Sequence, residues 1–285
     1  MSPSAKFRWG KRTLWWLIGL LGLSGVLLLW RFASPILLGN PFEPPGMAAA
    51  HYTTRDVVGD LGGVPVTIPR HFANFVEYEG DPGWGEKRKG PRHERTHQSR
   101  LVSFGYDTRF PDMAGESSQE LIKDKSSYSI YTTPWISVGI TTGNIYPGDG
   151  FLDRLTTANI GNVERILKYE QYEPLPEPEH GLTVYAAVGI DPNTKKLYWE
   201  HPNAKDIFVH RDKTERVDTY IRCSNRLGVP SQPCTHDFSL EPHMHANVYV
   251  SYRRTQLPHW REIQQAVAQQ ILSFKALPTN AASKP

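Results

Sequence analysis

Cysteine is nearly absent. Only Cys223 and Cys234 occur among 285 residues, and neither lies near the apolar N-terminal run, which excludes a bacterial lipoprotein anchor. Several signature strings are also missing. Beyond residue 31 there is no G-x-S-x-G nucleophile elbow, and nowhere is there a G-x-x-x-x-G-K-[ST] phosphate loop. Nothing points to a carboxylate pair for glycoside hydrolysis, and no internal repeat stands out. A triad assembled from distant positions keeps a hydrolase as an alternative. Excess positive charge is lacking too, once the N-terminus is set aside. Residues 1–31 hold five of the 32 basic side chains and none of the 29 acidic ones, leaving 27 against 29. The pI of 8.7 therefore belongs to the N-terminal end. A formal charge of −2 on the remainder argues against a nucleic-acid-binding surface.

What is present begins with residues 13–30, TLWWLIGLLGLSGVLLLW, a run with no charge and no proline. As an α-helix it would rise roughly 27 Å, close to a hydrocarbon core of about 30 Å. Trp9, Trp15, Trp16 and Trp30 gather at its ends, where amphipathic rings prefer the headgroup level. Lys6, Arg8, Lys11 and Arg12 precede the run, whereas only Arg31 follows before Arg55. That asymmetry predicts an uncleaved single-pass anchor over 13–31 that contacts the bilayer through 13–30. Residues 1–12 would form a cytoplasmic tail, and the bulk of the chain would be exported. A cleaved signal would need a small-residue cleavage site soon after the apolar core, whereas here Arg31, Phe32, Ala33, Ser34, Pro35 and a second apolar patch, Ile36 to Leu38, follow, and the alanines at 48–50 are far downstream.

Residues 32–54 contain Pro35, Gly39, Pro41, Pro44, Pro45 and Gly46 and read as a spacer. Residues 55–275 read as an α+β domain, mostly antiparallel sheet, with one long C-terminal amphipathic helix and a loose tail at 276–285. Strands are predicted at 64–68, 72–78, 99–110, 129–140, 182–190, 195–201, 206–210, 216–223 and 246–253, all rich in Val, Ile, Tyr, Phe and Thr. In the last of these Val248, Val250 and Tyr252 alternate with Tyr249, Ser251 and Arg253, as in a strand with one buried face. From Pro258 to Lys275, Trp260, Ile263, Val267, Ile271 and Phe274 recur at steps of three and four, which places them on one helical face. A second short helix is expected near 150–160. Cys223 and Cys234 bracket a turn-rich segment, and an exported pair so spaced reads as a disulfide. The alternatives are two free thiols or, less in keeping with the spacing, a redox pair.

Two loops carry the strongest composition shifts. From Glu86 to Arg100 there are six basic residues and two acidic ones, preceded by a Gly/Pro turn that contains Trp84. Trp84, Lys87, Arg88, Lys89 and Arg92 are the first candidates for partner contact, since aromatic and cationic side chains dominate interface energetics. The bland reading is a solvated loop. The second loop, Tyr169 to His180, interleaves four glutamates with three prolines, which favour extended chain. Tyr169 and Tyr172 are its candidates, and a plain linker is the competing reading. His236, His243, His245 and His259 cluster near the C-terminus. His243 and His245 would share a strand face, but no spacing marks a third ligand, so surface histidines without a metal are expected. No cofactor is implied.

The run VGDLGGVPVTIPRHFANFVEYEGDPGWGEKRKGP (58–91) and the block EPHMHANVYVSYRRTQLPHWREIQQAV (241–267) resemble membrane-anchored periplasmic immunity proteins encoded beside type VI secretion phospholipase effectors. The resemblance implies a non-catalytic protein held at the bacterial inner membrane that binds an incoming toxin and blocks it. Many such proteins carry a lipoprotein cysteine where this chain carries an apolar run. A structural subunit of an envelope-spanning secretion or pilus machine would share the same topology, and is the alternative.

Overall fold

The computed structural model describes residues 55–82, 86–87, 90–91, 94–161, 171–201, 203–226 and 228–276, all within the unit that spans 54–285. Among them no helix is long and apolar enough to cross a membrane. The expected anchor, spacer and tail beyond 276 lie outside the described residues.

The chain opens with a hairpin, β1 (Val57–Leu61) and β2 (Val64–Ile68), joined by Gly62 and Gly63. Both glycines have positive φ, as a two-residue hairpin turn demands, and a Cβ on Gly62 would strike the His245 backbone at 2.6 Å. Strands β3 (Asn74–Tyr78), β4 (Leu101–Arg109) and β5 (Ala114–Gly115) follow, then helix α1 (Gln119–Ser127), whose Ser118 cap accepts from the Leu121 amide. Next come β6 (Trp135–Thr141) and helix α2 (Phe151–Thr156), which widens into a π-helical turn over Thr157–Gly161. A six-strand meander completes the sheet: β7 (Tyr172–Pro174), β8 (Thr183–Ala187), β9 (Lys205–Arg211), β10 (Val217–Ser224), β11 (Pro233–Ser239) and β12 (Asn247–Arg253). Helix α3 (Trp260–Ser273) ends the fold.

Ten strands form one antiparallel sheet in the order β3-β4-β6-β12-β11-β10-β9-β8-β7, with β5 on the flank of β4. Strand β12 thus lies centrally, pairing with β6 on one side and β11 on the other. Helix α3 covers one face. Its Trp260, Ile263, Val267 and Ile271 are buried together with Phe104, Ile136, Val138, Ile140, Phe238, Val248 and Val250. Each such side chain contributes about 1.5–3 kcal/mol on burial. The β1–β2 hairpin is tied to the far end of α3 through Thr67 N–H to Phe274 O and Ala276 N–H to Pro65 O, at 2.8 and 2.9 Å. On the opposite face, α2 covers the β9–β10 region, where Leu152, Ile207, Val209, Val217 and Tyr220 make a smaller core. On the outer face of β4, β6 and β12, helix α1 sits at one end, where Lys125 binds Asp107 and Asp124 binds Arg109 and the Trp135 indole.

Cys223 and Cys234 stand opposite each other in the β10–β11 register and form a disulfide. Several expectations need correction. Residues 195–201 are a turn followed by a 3-10 turn at Tyr198–Glu200, not a strand, because Leu197 and Trp199 face solvent rather than a core. Residues 129–134 are turn, and β6 starts only at Trp135. Pro258 belongs to a 3-10 turn over Arg254–His259, so α3 begins two residues later. Strands β1, β5, β7 and β11 and helix α1 have no counterpart among the predicted elements. His243 and His245 sit in a turn, where they share no strand face. His236 is fully buried, not a surface residue.

Candidate partner-binding surface

After β8 the chain leaves the sheet and returns as a small hairpin over 188–199. Ile190 bridges Leu197, the Tyr198 amide donates to Gly189 O at 2.8 Å, and the Asp191 amide donates to Lys196 O at 2.8 Å. The Asp191 carboxylate holds the turn by accepting from the Asn193 amide at 2.8 Å and the Thr194 hydroxyl at 3.0 Å. The Asn193 amide holds this carboxyl below its usual range. Antiparallel pairing puts opposed residues on a common face. One face carries Ala187 and Tyr198, buried with Ala204 and packed against Tyr172. The bridged pair Ile190 and Leu197 share the other face and are 61 and 50% exposed, while Val188 and, in the 3-10 turn, Trp199 are 40 and 39% exposed. Four large apolar side chains in this hairpin thus reach water, with Lys195 and Lys196 exposed at the tip.

The base of this ledge is rigid. The Trp199 indole N–H donates to Asp206 at 3.1 Å, and Asp206 is 6% exposed. Asp206 also accepts from the Arg254 guanidinium, which lies 5.4 Å from the Phe208 ring centre. Asn225 Nδ2 donates to the Trp199 carbonyl at 2.6 Å. A tryptophan so fixed loses little rotamer freedom when a partner covers it.

The basic loop leaves the other end of the sheet, between β3 and β4. Its root is anchored: Arg95 pairs with Asp81 at 2.6 Å and stacks 4.2 Å over the Tyr78 ring. The Tyr78 hydroxyl donates to Val58 O at 2.6 Å, and burial raises its pKa. Arg100 pairs with Glu79 at 3.3 Å. Lys87 is exposed, whereas Trp84, Arg88, Lys89 and Arg92 lie outside the described residues. Tyr169 is also outside. Tyr172 sits on β7, half-buried, with its ring packed against both small clusters. Of the sequence candidates only Lys87 and Tyr172 are among the described residues, one in the β3–β4 connection and the other on β7, at opposite ends of the strand order.

Two polar regions complete the inventory. A pocket of about 180 Å³ is lined by Tyr146, Asp149, Arg216, Glu241 and Asn247 among others. There Glu241 accepts from the Tyr146 hydroxyl at 2.7 Å and pairs with His245 Nδ1 at 2.6 Å. Burial pushes Glu241 up, but its bonds from His245 and Tyr146 outweigh that and hold it below the usual carboxylate range. Burial together with the Glu241 bond pushes Tyr146 up to about 12. Beneath the pocket runs a buried chain in which Gln264 Oε1 accepts from Thr219 Oγ1 and His236 Nε2, both at 2.8 Å. His236 Nδ1 in turn meets the Tyr252 hydroxyl at 3.3 Å. Among the described residues no group of three or more His, Cys, Asp or Glu side chains is placed to hold a metal.

No family model and no curated protein matches this chain. Its fold is similar to the solved structure of an immunity protein of the Stenotrophomonas maltophilia type IV secretion system, with a TM-score of 0.53 and 16% identity. The similarity covers 79% of this chain and 95% of that one. At this identity the likeness concerns the fold. The sequence contains no motif for the ledge, since apolar residues flanking a Pro-Asn-Thr-Lys-Lys turn read equally well as core strands.

Proposed function

We propose that this chain is an immunity-type binding protein, tethered to the inner membrane through residues 13–30, that neutralises a secreted antibacterial effector by direct association. The observation that carries this reading is the 188–199 ledge. It is a cluster of exposed apolar side chains in one hairpin that includes a pinned tryptophan and is tipped by lysines, the composition of an interface hot spot with its rim. The shared fold with a secretion-system immunity protein supports it. The resemblance of residues 58–91 and 241–267 supports a phospholipase-like effector delivered by a type VI system. A lipid-cleaving toxin works at the membrane surface, where a tethered inhibitor has a high effective concentration. The basic loop (Trp84, Lys87, Arg88, Lys89 and Arg92) would steer the encounter, with Tyr169 and Tyr172 as secondary contacts.

Co-purification of the full chain from its native membrane tests this. One soluble secreted partner in equal amount is the expected result. Several membrane proteins would instead indicate a machine subunit. Reversing the charges of the basic loop should slow association and flatten its salt dependence, and unchanged kinetics would remove that loop from the account.

A further inference from the structure

The face of the sheet beside α1 holds a second site. A pocket of about 240 Å³, open to solvent on its outer side, lies where β4, β6 and β12 meet the loop after α1. Asp107, Ser137 and Ser251 form one cross-strand row on its floor, since Asp107 pairs with Ser137 and Ser137 with Ser251 in register. Trp135, Tyr128 and Ile130 supply an apolar wall, and Tyr128 and Ile130 are 40 and 62% exposed.

The charges around the pocket are unequal in what they have left to give. Lys125 is committed, bound to Asp107 at 2.5 Å and to Glu116 at 2.9 Å. Arg253 also lines the pocket, and among the described residues its guanidinium has no carboxylate or carbonyl partner. The Ser137 and Ser251 hydroxyls are likewise uncommitted among the described residues. One unpaired planar cation beside two hydroxyl donors matches a carboxylate, which takes a guanidinium through two parallel hydrogen bonds.

Along β12, two residues from Ser251 and four from Arg253, the Tyr249 ring lies over Gly139, so close that a Cβ on that glycine would meet it at 2.0 Å. Tyr249 is 44% exposed and so offers an aromatic floor. Positions two apart on a strand are separated by about 6.6 Å and face the same side. An extended chain laid along β12 would therefore place one side chain at Arg253 and Ser251 and the side chain two residues away on Tyr249. We propose that this face is a subsite for an extended partner segment with the pattern apolar-x-acidic, its carboxylate held by Arg253 and its apolar side chain on Tyr249. The site is separate from the 188–199 ledge, and its test uses no effector.

Saturation-transfer NMR on the full chain in detergent micelles, with the probe acetyl-Leu-Ser-Glu-Ser-amide, reads the subsite directly. The leucine and glutamate side-chain protons should receive saturation. The counterpart with glutamine for glutamate should bind at least fivefold more weakly, and Arg253→Gln should weaken the acidic probe about tenfold with an unchanged melting temperature. Ser251→Trp, which fills the floor, should abolish the signal. Equal binding of the glutamine probe, or full binding to both variants, overturns the proposal. Hexanoate binding more tightly than the acidic probe would reassign the pocket to a free lipid-derived acid and overturn it as well.

Discussion

Trp199 is supported from beneath and exposed above, and these two aspects separate under mutation. Truncating the indole with Trp199→Ala removes a pinned apolar contact from the ledge. Partner affinity should fall by about 2 kcal/mol, roughly 30-fold, while the chain remains folded. Changing the support acts differently. Asp206→Ala leaves the Arg254 guanidinium without its carboxylate and the indole N–H without its acceptor, both close against the sheet. Removing one member of a buried pair costs about 3 kcal/mol, so this variant should lose stability in urea denaturation as well as affinity. A Trp199→Ala protein that bound its partner as tightly as the original would show that the ledge is not the contact. At this scale the sequence revealed little of the site. The side chains at 188, 190, 197 and 199 have the apolar character of core positions, and only the hairpin geometry turns them outward.

Strand β11 shows how two neighbouring residues on opposite faces offset one another. His236 points into the core under α3, and burial depresses its pKa from 6.5 to about 4. Asp237 points to the other face, 8% exposed, and burial raises its carboxyl from 3.8 to about 6 despite Arg222 at 3.6 Å. Between pH 6.5 and 4 the unfolded chain binds a proton at His236 that the folded chain does not, so stability falls as pH falls. Between pH 6 and 3.8 the folded chain holds a proton at Asp237 that the unfolded chain does not, so that residue favours folding as pH falls. The two slopes, each at most about 1.4 kcal/mol per pH unit, cancel over pH 6 to 4. Asp237→Asn should expose the histidine alone, with stability falling by about that amount per unit from pH 6 to 4. A variant as flat as the original across that range would contradict the burial argument. The same strand carries Cys234, and replacing both cysteines with serine should cost about 3 kcal/mol, matched by adding reductant to the original protein.

Elements differed in legibility for physical reasons. The β12 alternation and the α3 spacing are strong because each buries one face against the other. Strand β11, PCTHDFS, gives little strand signal because its inward positions are Cys234, His236 and Phe238, only one of them strongly apolar by type. Helix α1 gives little helix signal because it buries no residue fully and so needs no apolar stripe.

For the whole molecule, the sheet places its two proposed contact surfaces on different elements, the ledge beyond β8 and the pocket over β4, β6 and β12. The fold class was readable from strand and helix composition, but the central position of β12 was not. Nothing local in residues 247–253 records that they pair with β6, more than a hundred residues upstream. The central claim is neutralisation by direct contact, and its most direct measurement is survival. A susceptible bacterium would export to its periplasm the secreted partner recovered by co-purification and carry either the original protein or an Ile190→Asp, Trp199→Asp variant. Full growth with the original and killing with the folded variant expressed to the same level is the expected result. Killing in both cases, or equal rescue by both, would contradict the account.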